Sequence, residues 1–411
     1  MQKCYLKRVA PHLSLEHNVI IISLASFALF LGIYIWLQLL PIYLDNIGLT
    51  PVLIGIAVIG ESTAISIMSL PSGMFSDMIG RKVPIVVGSG LIAIATLLLY
   101  FTVNPIVVIL LVILVGVFTG LTQPAVVAII AESARSKRSG VAYGIYYFST
   151  VIAMVIGSAL SGILADTLGF PILFIIGAIA TAFAFIILYL FVQETVARKR
   201  CSHCFAIKRS VLRSIPTTVS LLKNSRELVL LTLALSIHMI GFSILVPYLP
   251  LYATYGIHLD IKQTGVLMAV WHAGFLLSQI PSGIMADRLG SRLTLLWHFL
   301  LSSVTWVIYP LSHSFAYAAV ALILAGMIGA MDMPARRVIT IEYSADSEKA
   351  TVIGALDFIV GIVPIFAPFV GGFLWEKVGY SAPFFAGAVI TMLACIPMLE
   401  LHQKKKHAHI K

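Results

Sequence analysis

Charge is scarce in this sequence. Asp, Glu, Lys and Arg together make up 11% of 411 residues, against about 25% in an ordinary soluble chain. Hydrophobic residues make up 60%, and the mean hydropathy is +1.02. A soluble fold of this size has nowhere to hide so much apolar surface, so the solvent implied is lipid. Cysteine is scarce too: Cys4, Cys201, Cys204 and Cys395 in so long a chain do not make a disulfide framework. Cys201-Ser-His203-Cys204 is spaced like half a zinc site. A structural zinc needs four ligands and no second pair lies near in sequence, so no metal is expected. No Gly-x-x-x-x-Gly-Lys phosphate loop, nucleophile elbow or His-Glu-x-x-His segment occurs. ATP hydrolysis by this chain, an embedded enzyme and a cofactor are therefore not expected.

What is present is a succession of apolar runs. A spanning helix needs about 20 mostly apolar residues, and twelve candidates lie near 18–44, 51–75, 83–103, 105–130, 140–164, 170–192, 227–254, 263–286, 292–312, 314–338, 350–374 and 379–400. The runs are too long and too uniformly apolar for barrel strands. The first is too long for a signal-peptide core and reads as a retained helix.

The formal charge is +10, but in a membrane chain the placement of charge matters more than its sum. With the N-terminus cytoplasmic, 25 of the 27 Lys and Arg fall in inside loops and only Lys262 and Lys377 outside. Both termini are then expected inside, in the cell membrane. The middle loop and the Lys404 to Lys411 tail are expected against anionic lipid headgroups, without nucleic acid as a partner.

One internal offset dominates. Pro71-Ser-Gly73-x-x-x-Asp77-x-x-Gly80 recurs as Pro281-Ser-Gly283-x-x-x-Asp287-x-x-Gly290, 210 residues on. Pro124 and Pro334, Glu132 and Glu342, Gly144 and Gly354, and Gly162 and Gly372 share that offset, and Gly32, Pro41 and Tyr43 match Gly241, Pro250 and Tyr252 at 209. The expectation is an all-α membrane protein of twelve helices: a six-helix bundle over 1–193, a basic cytoplasmic linker over 194–226, and a second bundle over 227–411, related by a pseudo-two-fold axis along the membrane normal.

The repeated loop Gly73-x-x-x-Asp77-x-x-Gly80-Arg81-Lys82 resembles the signature loop of the major facilitator superfamily, and Gly283-x-x-x-Asp287-Arg288-x-Gly290-x-Arg292 resembles it with Ser291 in place of the first basic residue. Gly73 and Gly80 allow close approach and a tight turn. Asp77 can accept from a helix N-terminus or pair with a cation, as a latch between conformational states. Ala367-Pro368-Phe-Val-Gly371-Gly372 resembles the Gly-Pro-x-x-Gly-Gly motif of drug and proton antiporters in that superfamily. The family carries it in helix 5, where this chain has Gly157-Ser158-x-x-Ser161-Gly162. Pro247-Tyr-Leu-Pro250 is similar to the Pro-x-x-Pro end of the first helix in twelve-span drug exporters. In helix 4, Val112 precedes Gly116 where many proton-coupled members carry Arg.

Ionisable groups at membrane depth are costly and mark sites. Glu61, His238 and His272 fall near mid-depth, and Asp357 is shallower. These four are the proton-coupling candidates. Asp332 lies four residues before Arg336, which suggests an ion pair. Glu61 sits twelve residues before Gly73, roughly 18 Å along a helix, close to the centre of a core about 30 Å thick. By the resemblance, Tyr34, Trp36, Gln38, Tyr146, Tyr147 and Trp271 lie on cavity-lining helices. The expected function is secondary active transport by alternating access, as a monomer, in the form of proton-coupled efflux of small organic or drug-like molecules. The alternatives are an uptake carrier or facilitator for a metabolite, and a transporter-like nutrient sensor.

Overall fold

The computed structural model describes residues 2–134, 139–195, 225–344 and 349–401. The Cys201-Ser-His203-Cys204 stretch, most of the basic linker, Arg135 to Arg138 and the Lys404 to Lys411 tail lie outside the described residues.

The first six spans are α1 (Gln2–Leu37, continued by Leu40–Asn46), α2 (Pro51–Ile79), α3 (Lys82–Tyr100), α4 (Pro105–Ser133), α5 (Ser139–Leu168) and α6 (Pro171–Phe191). The second six are α7 (Arg226–Leu245, then a 3-10 turn Val246–Tyr248 and Leu249–Tyr255), α8 (Ile261–Leu289), α9 (Ser291–Ile308), α10 (Phe315–Gly329, then Asp332–Glu342), α11 (Lys349–Ile362, Val363–Phe366, Ala367–Lys377) and α12 (Ala382–Leu393, Cys395–Glu400). Local chemistry sets their ends. Asn104 accepts from the backbone of Ile106 (3.1 Å) and Val107 (3.4 Å) ahead of Pro105, and Asp260 with Gln263 forms a capping box at the start of α8. Gly80 and Gly290 take φ of +100° and +88°, conformations that a side chain would strain. Pro247 sits in the 3-10 turn that breaks α7.

Among the described residues, eleven of these helices are long and apolar enough to cross a membrane. The remaining span, α8, is 29 residues long but carries Lys262, His272, Gln279, Asp287 and Arg288. Lys262, Asp287 and Arg288 are exposed near its two ends, and His272 is buried where α8 packs against α5 and α10.

The repeat is visible at atomic level. A Cβ on Gly116 of α4 would collide with the backbone carbonyl of Glu61 in α2, and one on Gly326 of α10 would collide with that of Trp271 in α8. Each residue of the second contact lies 210 beyond its counterpart in the first. Small residues let the helix backbones touch where lipid gives no hydrophobic drive.

The halves meet along α5 with α8 and α2 with α11. At the end carrying Lys262 and Lys377 the seam is tight. A Cβ on Gly162 would lie 2.8 Å from the carbonyl oxygens of Ile261 and Lys262, and one on Gly372 would lie 2.6 Å from the Val52 backbone. The Tyr248 hydroxyl reaches the carbonyls of Pro51 (3.0 Å) and Pro368 (3.3 Å), and the Tyr255 hydroxyl donates to Asp45. At the basic end the same four helices present Gly73, Gly144, Gly283 and Gly354 to open space. The molecule is thus closed at one end of the seam and parted at the other.

Gly265→Leu wedges the closed seam, because the Gly265 position faces the Gly162 backbone. Overpacking of about 1.4 kcal/mol shifts a two-state balance about tenfold. A Tyr147→Cys probe, in a chain otherwise free of cysteine, should then react more slowly with maleimide in membranes, by at most about tenfold. An unchanged rate would mean that this seam takes no part in the opening of the basic end.

Candidate functional site

Six spans converge on a cavity of about 330 Å3. Tyr34 and Gln38 face it from α1, Glu61 and Ser62 from α2, Gln123 from α4, Met154 from α5, Phe242 from α7, and Trp271 with His272 from α8. Glu61 is 6% exposed and receives a hydrogen bond from the Ser62 hydroxyl at 3.2 Å. No Lys or Arg lines the cavity. A buried carboxylate among aromatic faces attracts positive charge and protons and repels anions.

His272 is oriented from both halves. Its Nδ1 lies 2.9 Å from the Met268 carbonyl and 3.3 Å from Ser158 Oγ across the seam. The carbonyl can only accept, so Nδ1 carries the proton and Nε2 keeps the lone pair. The Tyr34 ring stands edge-on to the imidazole, centroids 5.3 Å apart.

The other sequence candidates lie elsewhere. Trp36 is buried against Phe174 of α6, because two residues along α1 turn it about 200° from Tyr34. Tyr146 is packed inside the first bundle with Ile22, Ile129 and Ile187. Tyr147 is exposed at the parted end, within electrostatic range of Arg337 and Asp357. Asp357 pairs with Arg337 (2.8 Å) and stands 3.8 Å from Arg336, which also pairs with Asp332 at 3.0 Å. His238 faces a separate chamber inside the second bundle. There it meets His298 of α9, Nε2 to Nε2, at 3.2 Å. His298 was missed in the sequence, although an ionisable residue in an apolar run is the same signal that marks His238.

At the basic end, Arg81 bonds Asp77 (2.5 Å), Ser76 (2.7 Å) and Glu132 (3.1 Å). The N-terminus of α3 is held by Glu194 rather than Asp77: its carboxylate accepts from the backbone of Arg81 (2.9 Å) and Lys82 (3.0 Å). In the second half Asp287 and Arg288 are exposed, and Arg292 reaches the α12 carbonyls of Met398 (3.0 Å) and Leu399 (2.5 Å). Gly157 packs on the α1 backbone, while Gly371 abuts the Ile244 carbonyl of α7.

Two stretches, residues 22–253 and 231–410, match the Major Facilitator Superfamily. The chain belongs to that superfamily. An uncharacterized MFS-type transporter of Methanocaldococcus jannaschii is 28% identical over 288 residues, 70% of this chain and 73% of that one. The quinolone resistance protein NorA of Staphylococcus aureus is 29% identical over 172 residues, 41% of this chain and 43% of NorA. The fold is shared with a POT family transporter in complex with 5-aminolevulinic acid (TM-score 0.77, 12% identity, 93% of this chain and 95% of that one). It is also shared with the human organic anion transporter MFSD10 (TM-score 0.69, 16% identity, 93% and 99%). As a member of this superfamily the chain is a multi-pass secondary transporter of small molecules.

Glu194→Ala removes the acceptor for two backbone N–H groups at the α3 terminus. Loss of such a cap costs about 1 kcal/mol. The detergent-solubilised variant should melt a few degrees below the parent, and an identical melting curve would show that the contact carries no stability.

Proposed function

We propose that this transporter exports small organic cations across the cell membrane in exchange for protons, with Glu61 carrying the coupling proton. The observation that carries the reading is Glu61 itself, a buried carboxylate in an aromatic cavity with no Lys or Arg in its wall. A proton and a cationic substrate compete for that one group, and the competition is antiport. The likeness to NorA supports efflux of a drug-like substrate. The missing helix 4 Arg does not oppose it, since Val112 is buried in the bundle and the carboxylate stands on α2.

The charge distribution supports a cytoplasmic basic end and cytoplasmic termini. The state described is then the inward-open one, in which an exporter loads. In this state Asp77 is 64% exposed and bound to Arg81 of its own loop. Its exchange of that partner for one across the cytoplasmic mouth is the latch that favours the opposite state.

Two measurements in proteoliposomes test the reading. Glu61→Gln should lose pH-gradient-driven export of an organic cation by about tenfold or more, because Gln cannot titrate, while downhill substrate exchange persists at a raised KM, because the charge that attracts the cation is gone. Undiminished gradient-driven transport rules Glu61 out, and inward accumulation by the parent protein would make it an uptake carrier. Asp77→Asn should slow turnover with substrate affinity within about twofold, since it biases the state balance and does not touch the cavity. Normal turnover would end the latch assignment.

A further inference from the structure

The second bundle holds a chamber of its own, about 200 Å3, between α7, α8, α9 and α10. It shares Phe242, Trp271 and His272 with the central cavity, so the two spaces meet at a common wall. Its hydrogen bonds are incomplete in a specific sense. The Ile328 carbonyl, 2.9 Å from His298 Nδ1, can only accept, so that nitrogen carries the proton. His298 Nε2 is then an acceptor, and the Nε2–H of His238 donates to it at 3.2 Å. This leaves a lone pair on His238 Nδ1, which is buried without a partner. His238 is 7% exposed.

The same chamber is lined by Asp332. One of its oxygens is held by Arg336 at 3.0 Å, and the other is buried without a partner. Arg336 and Arg337 also engage Asp357, so the two acids and two bases pair off and leave that oxygen open. Two acceptors thus line one space unfilled; Trp306 Nε1 in the same wall and Arg336 Nε and Arg337 Nη1 by the acids are donors likewise buried without a partner, and none of them reaches either acceptor. A buried acceptor without a donor is unfavourable. Around them stand aromatic rings. Phe242 lies 6.3 Å from Trp271 and 6.1 Å from Trp306 between centroids, and Phe275 completes the wall. Aromatic faces attract cations.

We propose that this chamber is a second substrate subsite, which holds the N–H donors of an ammonium group through His238 Nδ1 and Asp332 while the aromatic wall takes the apolar body. It rests on the reading that the protein handles organic cations, and it narrows that class to amines that keep N–H donors. A quaternary ammonium has the charge but no donor and leaves both acceptors unfilled.

The test uses the full-length protein in lipid nanodiscs and two probes, 2-phenylethylammonium and its N,N,N-trimethyl analogue, measured by titration calorimetry. The parent protein should bind the primary amine about tenfold more tightly, the value of one well-placed hydrogen bond to a buried acceptor. His238→Phe should bring the two affinities to within about twofold while the trimethyl analogue binds as before. Should that variant fail to fold, His298→Phe frees His238 to carry its proton on Nδ1 and should abolish the preference by turning the acceptor into a donor. A preference that survives in a folded variant overturns the subsite, and equal binding of the two probes by the parent does the same, leaving a chamber that holds water only. If both probes are exported yet the preference survives, the subsite falls and the export reading stands. If the parent neither binds nor exports either probe at millimolar concentration, both fall.

Discussion

Lipid donates and accepts no hydrogen bonds, and that constraint shapes every level of this molecule. It forces the backbone into helices that satisfy themselves. It turns hydroxyls back onto their own helices, as Ser158 does to the Met154 carbonyl at 2.7 Å and Ser161 to Ser158 at 2.6 Å. It also makes any polar side chain without a partner conspicuous. Glu61 has one hydroxyl for company, and His238 keeps an open lone pair. Both side chains line a cavity.

Touching is managed by glycine. The contacts of Gly116 on Glu61 and of Gly326 on Trp271 are the same contact made twice, once in each half. The residue whose backbone is touched is therefore free to differ in side chain. In the first half it is a carboxylate, and in the second an indole with an imidazole beside it. The frame keeps its two-fold symmetry while the site loses it, which a cavity that reads one substrate requires. The loops diverge in the same way. Arg81 gathers Asp77, Ser76 and Glu132, whereas Arg292, next to Ser291, is spent on the α12 carbonyls.

The seam shows how such a frame moves. α2, α5, α8 and α11 press together through Gly162, Gly265 and Gly372 at one end and stand apart at Gly73, Gly144, Gly283 and Gly354 at the other. Helices are stiff over this length, so closing one end of a rigid pair opens the other. The pairing of Tyr255 with Asp45 and the reach of Tyr248 to Pro51 tie the closed end across the halves.

Sequence alone determined the number of spans, the repeat and the buried carboxylate, because each follows from composition, charge placement and spacing along one chain. It put Tyr34, Gln38, Glu61, Trp271 and His272 among the candidates, and these five meet in one cavity. It could not separate Trp36 from Tyr34, since that difference is a rotation about the helix axis and only the neighbours on each side give it meaning. Nor could it join His238 to His298, which are 60 residues apart, or assign the α3 cap to Glu194 across 113. Those partners were chosen by the packing of helices distant in sequence. Spacing along a chain records which face a residue is on, and tertiary structure alone decides what that face meets.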